Sequence, residues 1–196
     1  MVGAFHAPFG ENDMADYRRW YIPGGTYFFT LVTYQRRPLF QDPAARKVLG
    51  DLMRQQAERT PFQNVAIVLL WDHLHCLWTL PPGDNDYSGR WKEIKSTFTR
   101  DWLRGGGENL PVSHAKAARG RRGVWQPRFH EHTIRDDEDL ENHADYLHFN
   151  PVKHGYVKQP WDWQWSSFRR FVKMGQYSRD WGAQGEPSNI RGIECE

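Results

Sequence analysis

The amino-acid sequence predicts an α+β domain in which a four-stranded antiparallel sheet carries two helices on one face. The main observation is the order of its segments, which runs strand, helix, strand, strand, helix, strand and is the split βαβ arrangement. The 196 residues suit one domain with appended segments, and a hydrophobic content of 39% is enough for a core. No apolar run approaches the roughly 18 residues of a membrane span, so no membrane partner is predicted.

Each element follows from its local pattern. Strands are predicted where β-branched and aromatic residues cluster, as in the segment TYFFTLVTY at 26–34. Helices are predicted where apolar residues recur every three or four positions, as Trp91, Ile94 and Phe98 do. The elements in chain order are strand 26–34, helix 43–59, strands 62–70 and 73–80, helix 88–104, a strand within 125–134 and an additional helix over 136–150.

The remaining segments are expected to surround this domain. Residues 1–13 lack periodicity and predict a flexible N-terminal extension, which makes 14–158 the main domain. Residues 105–123 contain three consecutive glycines followed by basic residues, which is typical of a flexible loop. Residues 159–196 predict a tail that packs on or near the domain. This tail is rich in tryptophan up to Trp165, and the residues that follow are expected to be poorly ordered.

Charge is unevenly distributed, although the net charge is only +2. Between Arg90 and Arg135 there are eleven Lys or Arg against four acidic residues. Such a basic block suits a phosphate backbone, and the alternative is an ordinary solvated surface. Two cysteines make no disulfide framework, which favours the cytoplasm. The predicted DNA-binding residues are Arg18, Arg19, Lys92, Lys95, Arg100, Arg121, Arg122 and Arg128.

A His-x-His pair lies on the third predicted strand. Successive strand residues point to opposite faces, so His73 and His75 share one face while Leu74 and Cys76 share the core face. Two outward-pointing imidazoles side by side make half of a metal site. The alternative is a polar strand face with two unrelated histidines. A second His-x-His pair, His130 and His132, could also hold or complete a metal.

The additional helix could complete this site. Tyr146 and Asn150 are four residues apart and therefore lie on one helix face. Tyr146 could attack a phosphodiester, and Asn150 could be the third ligand of a divalent metal held by the histidine pair. Their alternatives are a packed helix tyrosine and a helix-end asparagine whose side chain bonds locally. His148 lies on another helix face and is left outside the site.

Together these segments resemble a known family. The motifs are RRWYIPGGTYFFT at 18–30, DHLH at 72–75, WQ at 125–126, IRD at 134–136, YLHFNPVKHG at 146–155 and WSS at 165–167. This combination resembles the REP-associated tyrosine transposases, the single-tyrosine branch of the HUH nucleases, and the match covers about residues 14–168. Two departures are Trp71, where many members have proline, and the long loop 105–123.

The resemblance implies a ferredoxin-like fold, a tyrosine nucleophile at Tyr146, and Mg²⁺ or Mn²⁺ held by His73, His75 and Asn150. It implies an endonuclease and strand transferase that acts on single-stranded DNA carrying a REP hairpin through a 5′-phosphotyrosine, as a monomer or a homodimer. The alternative is a non-catalytic module of the same fold that binds a REP hairpin or RNA. Cysteine is too scarce for a closed thiolate zinc site.

Overall fold

The computed structural model describes residues 21–193 and Cys195. The predicted extension 1–13 and the predicted DNA-binding residues Arg18 and Arg19 lie outside the described residues. No helix among the described residues is long and apolar enough to cross a membrane. The strands are β1 (Thr26–Val32), β2 (Gln63–Leu69), β3 (His73–Thr79) and β4 (His130–Thr133). The α-helices are α1 (Pro43–Arg59), α2 (Tyr87–Arg104), α3 (His114–Ala118), α4 (Asp137–Lys153) and α5 (Phe168–Lys173).

The four strands form one antiparallel sheet in the order β2-β3-β1-β4. This order, with α1 and α2 as the connections, is the split βαβ topology, so the predicted ferredoxin-like α+β fold is confirmed. A tight turn at Trp71 and Asp72 joins β2 to β3, and the backbone N–H of Leu70 donates to the carbonyl of His73 at 2.8 Å.

One face of the sheet forms an aromatic core with α1 and α2. Tyr27, Phe29 and Leu31 of β1 point to this face, as the strand alternation predicts, and all are buried. The apolar stripe of α2 packs on them, and the rings of Trp91 and Phe29 lie 5.6 Å apart between centroids. The helix begins where the Asp86 carboxylate accepts a hydrogen bond from the backbone N–H of Gly89 at 2.7 Å.

The opposite face of the sheet is covered by α4 and the tail. Leu147 of α4 packs with Phe28 and Leu77 of the sheet in a second buried cluster. The N-cap of this helix is Asp136, whose carboxylate accepts from the N–H of Asp139 at 2.8 Å. The helix continues through Pro151 to Lys153, three residues beyond the predicted end. Pro151 has no backbone N–H to bond to the carbonyl of Leu147, so the helix gives up one hydrogen bond at this turn.

The tail differs from the expectation for its last residues. Tyr177, Trp181 and Ile190, in the part expected to be poorly ordered, pack against α4 in the second cluster. Earlier in the tail, the backbone runs beside β2. The N–H of Leu69 donates to the carbonyl of Trp165 at 2.8 Å, and the N–H of Ser167 donates to the carbonyl of Ile67 at 2.8 Å. Residues 165–167 therefore extend the sheet beyond β2.

The basic loop 105–123 also has more structure than its glycines predict. It contains α3, whose N-cap is Ser113, and Lys116 donates from Nζ to the hydroxyl of Tyr34 at 3.3 Å. The loop closes where the N–H of Leu110 donates to the carbonyl of Gly123 at 3.1 Å. Gly123 has a φ of 65°, and a Cβ there would collide with the Leu110 carbonyl, so this closure requires glycine.

Candidate active site and basic groove

The predicted pair His73 and His75 does share one face of β3, but that face is not open. Both imidazoles are fully buried, with 0% exposure, because α4 crosses over them. Their ring centroids lie 4.8 Å apart. The prediction that the two imidazoles point outward into solvent is therefore wrong. Tertiary packing, which strand alternation cannot predict, converts an outward face into an interior one.

Each imidazole is held through Nδ1. His73 Nδ1 lies 2.6 Å from the Asp72 carboxylate, and His75 Nδ1 lies 2.8 Å from the Thr30 hydroxyl. Burial alone would raise the pKa of the Asp72 carboxyl, but hydrogen bonds from His73 and from Arg36 lower it. An ionised carboxylate accepts from Nδ1–H and thereby turns the lone pair of the imidazole to Nε2.

This arrangement fits a divalent metal. His73 Nε2 is buried and has no hydrogen-bond partner among the described residues, and burying such an atom without a ligand costs free energy. A carboxylate behind a metal-binding histidine is the usual way in which proteins fix the tautomer and raise the basicity of the ligand. The residues present therefore suit a metal on the Nε2 side of the pair.

Helix α4 brings the predicted nucleophile to this pair. The Tyr146 ring lies 5.4 Å from the His75 ring between centroids, at an interplanar angle of 72°. Asn150 follows one turn later on the same helix and is fully buried. The structure thus brings His73, His75 and Tyr146 together at one place and sets Asn150 on the adjoining turn.

Sequence reasoning missed two side chains at the site. Lys153 donates from Nζ to the Tyr146 hydroxyl at 3.2 Å, and its ammonium lies 4.8 Å from the centre of the same ring. The ring of His154 lies 5.1 Å from that of His73. Lys153 could have been found from its spacing, because a residue seven positions after Tyr146 lies on the same helix face.

Aromatic side chains of the tail pack against the turn between β2 and β3. Trp71 contacts Trp163 and Trp165 of the tail, each at 4.8 Å between ring centroids. The guanidinium of Arg46 lies 4.5 Å above the Trp165 ring. Trp71 therefore joins the turn before the histidine pair to the Trp-rich tail.

The second His-x-His pair and His148 lie elsewhere. His132 pairs across the sheet with Phe28, and its Nε2 lies 2.8 Å from the Asp139 carboxylate. The second His-x-His pair therefore faces the start of α4 and not the first pair. His148 points to the tail, where its Nε2 lies 2.8 Å from the Ser167 hydroxyl, in keeping with its placement on another face.

Most of the predicted DNA-binding cations line one groove. The groove lies between α2 and the end of the basic loop, and its volume is about 900 Å³. Lys95 donates from Nζ to the carbonyl of Gln126 at 2.6 Å, so it also anchors the segment that leads to β4. Arg128 is exposed and is not among the residues that line this groove. The predicted cations that line it are Lys92, Lys95, Arg100, Arg121 and Arg122.

Comparison with known proteins agrees with the motifs. The chain is 43% identical over 168 residues to the REP-associated tyrosine transposase of Escherichia coli K12, which covers 86% of this chain and 91% of that protein. The chain belongs to the REP-associated tyrosine transposase family. A Haemophilus influenzae relative of this transposase is 42% identical over 174 residues, covering 86% of this chain and 94% of that protein. No family model matches the chain.

The fold of the family is also seen in a solved structure. That structure is of a REP-associated tyrosine transposase bound to a REP hairpin, and it matches this chain with a TM-score of 0.73 and 39% identity. The match covers 93% of this chain and 96% of the other. The family resemblance predicted from the motifs is therefore confirmed, together with the four-stranded α+β fold.

Proposed function

We propose that this transposase is a metal-dependent endonuclease and strand transferase that acts on single-stranded DNA at REP hairpins. The observation that carries the proposal is the position of the Tyr146 ring, 5.4 Å from that of His75. This position supports a site in which a phenol and a pair of imidazoles act together, with the Asn150 amide supplied from the next turn of α4. The hairpin as substrate is supported by the family relative that is bound to one.

His73, His75 and Asn150 would hold the ion, which we expect to be Mg²⁺ or Mn²⁺. The imidazoles would bind through Nε2, because their Nδ1 atoms face Asp72 and Thr30. When bound, the ion polarises a phosphodiester oxygen and neutralises charge that develops on the phosphate. Imidazole ligands suit Mn²⁺ better than Mg²⁺, and the amide oxygen suits both.

Tyr146 would act as the nucleophile. Its phenol oxygen attacks phosphorus and loses its proton, while the 3′ oxygen of the preceding nucleotide leaves and takes up a proton. The product is a 5′-phosphotyrosine and a free 3′ hydroxyl. The Lys153 ammonium, 3.2 Å from the phenol oxygen, stabilises negative charge there. Because the ester conserves the energy of the broken bond, a DNA hydroxyl can later displace the tyrosine and rejoin strands.

DNA must reach a buried centre. Tyr146 is 2% exposed and both histidines are 0% exposed, so a phosphate gains access after the side chains above them move aside. The basic groove beside α2 supplies a separate contact surface for the hairpin backbone. Binding through the groove and cleavage at the histidine pair are thus separable, and they can be measured separately.

An oligonucleotide cleavage assay tests the proposal. The full-length protein with Mn²⁺ and a single-stranded REP-hairpin oligonucleotide should give a protein–DNA adduct that survives denaturing electrophoresis. Tyr146→Phe should bind the oligonucleotide as the unmodified protein does and give no adduct. Tyr21→Phe is the matched control, since Tyr21 is exposed, stacks on Tyr87 and should leave the adduct unchanged.

The histidine pair is tested in the same assay. His73→Ala and His75→Ala should lower adduct yield by at least about 100-fold, which corresponds to about 2.7 kcal/mol, with hairpin affinity retained. Adduct formation that is undiminished in either variant would contradict a metal-assisted role. If the unmodified protein binds the hairpin but gives no adduct with Mg²⁺ or Mn²⁺, the non-catalytic binding module becomes the better account.

A further inference from the structure

A second group of metal-ligating side chains lies outside the proposed active site. It comprises His132 of β4 and Asp139 and His143 of α4, and one ligand atom from each lies within 4.8 Å of the others. Asp139 and His143 are four residues apart and share one helix face. His132 reaches them from the sheet, and its ring stacks on that of His143 at 4.3 Å between centroids.

We propose that His132, Asp139 and His143 bind a second metal ion, of the Zn²⁺ class, that fastens the start of the tyrosine-bearing helix to β4. Two imidazoles and one carboxylate are a common protein ligand set for zinc. The proposal does not depend on the proposed catalytic function, because none of the three residues belongs to the histidine–tyrosine site.

The distances within the group are close to those that a metal requires. His132 Nε2 lies 2.8 Å from Asp139 Oδ2, and His143 Nδ1 lies 3.0 Å from Asp139 Oδ1. Ligand atoms around a tetrahedral zinc, with bonds of about 2.0–2.1 Å, are separated by roughly 3.4 Å. To admit the ion, the contacts to the Asp139 carboxylate would lengthen by about 0.4–0.6 Å, and the His143 ring would rotate away from the backbone carbonyl of Asp139, which lies 2.8 Å from its Nδ1.

The hydrogen bonds of the group define what metal binding requires. Arg135 Nε donates to the Asp139 carboxylate at 3.0 Å, which favours its ionised form. His143 Nδ1 lies 2.8 Å from the backbone carbonyl of Asp139, which can only accept, so Nδ1 carries the proton in the metal-free protein. To bind an ion through Nδ1, the imidazole would give up this bond and carry its proton on Nε2.

Arg135 contacts Asp139 directly from the side away from His143. Its Nε and its backbone N–H both donate to Asp139 Oδ2 at 3.0 Å. The guanidinium is 73% exposed, so its charge is well solvated. Oδ1, on the side of His143, remains available to a metal, and Arg135 then orients the carboxylate from behind in the way that outer partners orient metal ligands.

The group borders a cavity of about 310 Å³ that gives an ion access. The cavity is also lined by His130, Asn142 and Asn189, and by Cys195 from the end of the tail. Three protein ligands leave one tetrahedral position open towards this space. The second site is thus a place where β4, α4 and the tail meet.

The two sites are separated by a single side chain. The Phe28 ring lies 5.1 Å from that of His143 and 5.4 Å from that of His75. Tyr146 follows His143 by three residues on the same helix. An ion at the second site would fix the turn of helix that precedes the nucleophile, and its role is therefore to position Tyr146 and not to contact DNA.

The test is the number of tightly bound Zn²⁺ ions in the full-length protein, measured by competition with a chromophoric chelator. His132→Gln should lose one equivalent relative to the unmodified protein, and His143→Gln should lose the same one. His114→Gln is the matched control, because His114 is exposed on α3 and should leave the count unchanged. His132 is half-buried, so its variant should fold even if His143→Gln does not.

The His73→Ala/His75→Ala double variant separates this inference from the proposed function. It should retain the equivalent that His132→Gln loses. If His73 and His75 bind no metal, the unmodified protein should hold fewer Zn²⁺ ions. His132→Gln should still lose one equivalent relative to it. An unchanged Zn²⁺ count in both His132→Gln and His143→Gln would overturn the second site.

Discussion

The two faces of the sheet contrast most clearly at Phe28 and Phe29, which are adjacent on β1 and both fully buried. Phe29 contacts other apolar rings, including those of Trp78 and Trp91, in the core formed with α1 and α2. Phe28 contacts His75, His143 and Tyr146 under α4. One face is packed mainly with aromatic and aliphatic side chains, whereas the other also buries histidines and a tyrosine that could bind metals and react.

The two faces therefore differ in what they contribute: the α1–α2 face stabilises the fold, and the α4 face holds the groups proposed to react. The α1–α2 face is packed mainly with aromatic and aliphatic side chains, so shape complementarity dominates there. Its few polar atoms sit on aromatic rings, as where the Tyr27 hydroxyl donates to the carbonyl of Ile22 at 2.7 Å. On the α4 face, buried polar side chains are held by specific partners. His73 has Asp72 and His75 has Thr30, while Asp145 accepts from the Tyr177 hydroxyl at 2.6 Å. These partners fix the orientation of the reactive groups.

The largest expected effect comes from Phe28→Ala and Phe29→Ala. Each should lower the free energy of unfolding by about 3–5 kcal/mol, because each removes a fully buried ring. Urea unfolding measures this loss. In the fraction that remains folded, Phe28→Ala should also lower adduct formation, since its ring positions Tyr146 beside His75. Equal adduct yields per folded molecule in the two variants would show that the faces are not functionally distinct.

The next largest effect is on how the free energy of unfolding depends on pH. It arises from His148, which lies between α4 and the tail. Burial lowers the pKa of His148 from 6.5 to about 3, and the nearby Arg170 acts in the same direction. Between these pH values the unfolded chain binds a proton that the folded protein excludes, so stability falls as pH falls. The slope is at most about 1.4 kcal/mol per pH unit for one group.

His148→Gln isolates this contribution, because Gln can still bond to Ser167 while lacking the titration. Urea unfolding at pH 6.5, 5.5 and 4.5 should show a smaller acid loss in the variant than in the unmodified protein. His130 and His143, whose pKa values burial also lowers, contribute equally to both proteins. Parallel pH profiles would show that His148 takes up its proton without disturbing the tail.

The smallest expected effect on stability is in the basic groove. Arg121→Gln and Arg122→Gln change exposed residues, so the free energy of unfolding should stay within about 0.5 kcal/mol. Hairpin affinity should fall several-fold for each variant, and the slope of log affinity against log salt should decrease by about 0.9 for each phosphate that is no longer neutralised. Arg54→Gln on α1 is the matched control. An unchanged salt slope would remove the groove from the DNA interface.

Much of the fold could be predicted because local patterns and topology agree. Alternation on β3 correctly set His73 and His75 on one face and Cys76 on the other. Helical spacing predicted a common face for Tyr146 and Asn150, and both residues lie buried within α4. Neither pattern could show that α4 lies across the histidine pair, because that depends on how Leu147 and its neighbours pack on Phe28 and Leu77.

Interactions between distant segments set the limit of sequence reasoning. Thr30 bonds to His75 because β1 and β3 pair in one particular register, which the sequence does not specify. The group of His132, Asp139 and His143 forms because a tight connection folds α4 back over the end of β4. A scarcity of cysteine argues against a thiolate zinc site, but it carries no information about a site built from imidazoles and a carboxylate.

The short run of tail backbone beside β2 has a consequence for how the chain can be shortened. The carbonyl of Trp165 accepts from the N–H of Leu69, and the N–H of Ser167 donates to the carbonyl of Ile67. Without the tail, these backbone groups of β2 would be exposed at the edge of the sheet. Exposed edge strands can pair with strands of other molecules. Truncation at 158 removes this cover, and we expect the shortened protein to self-associate, which light scattering would detect.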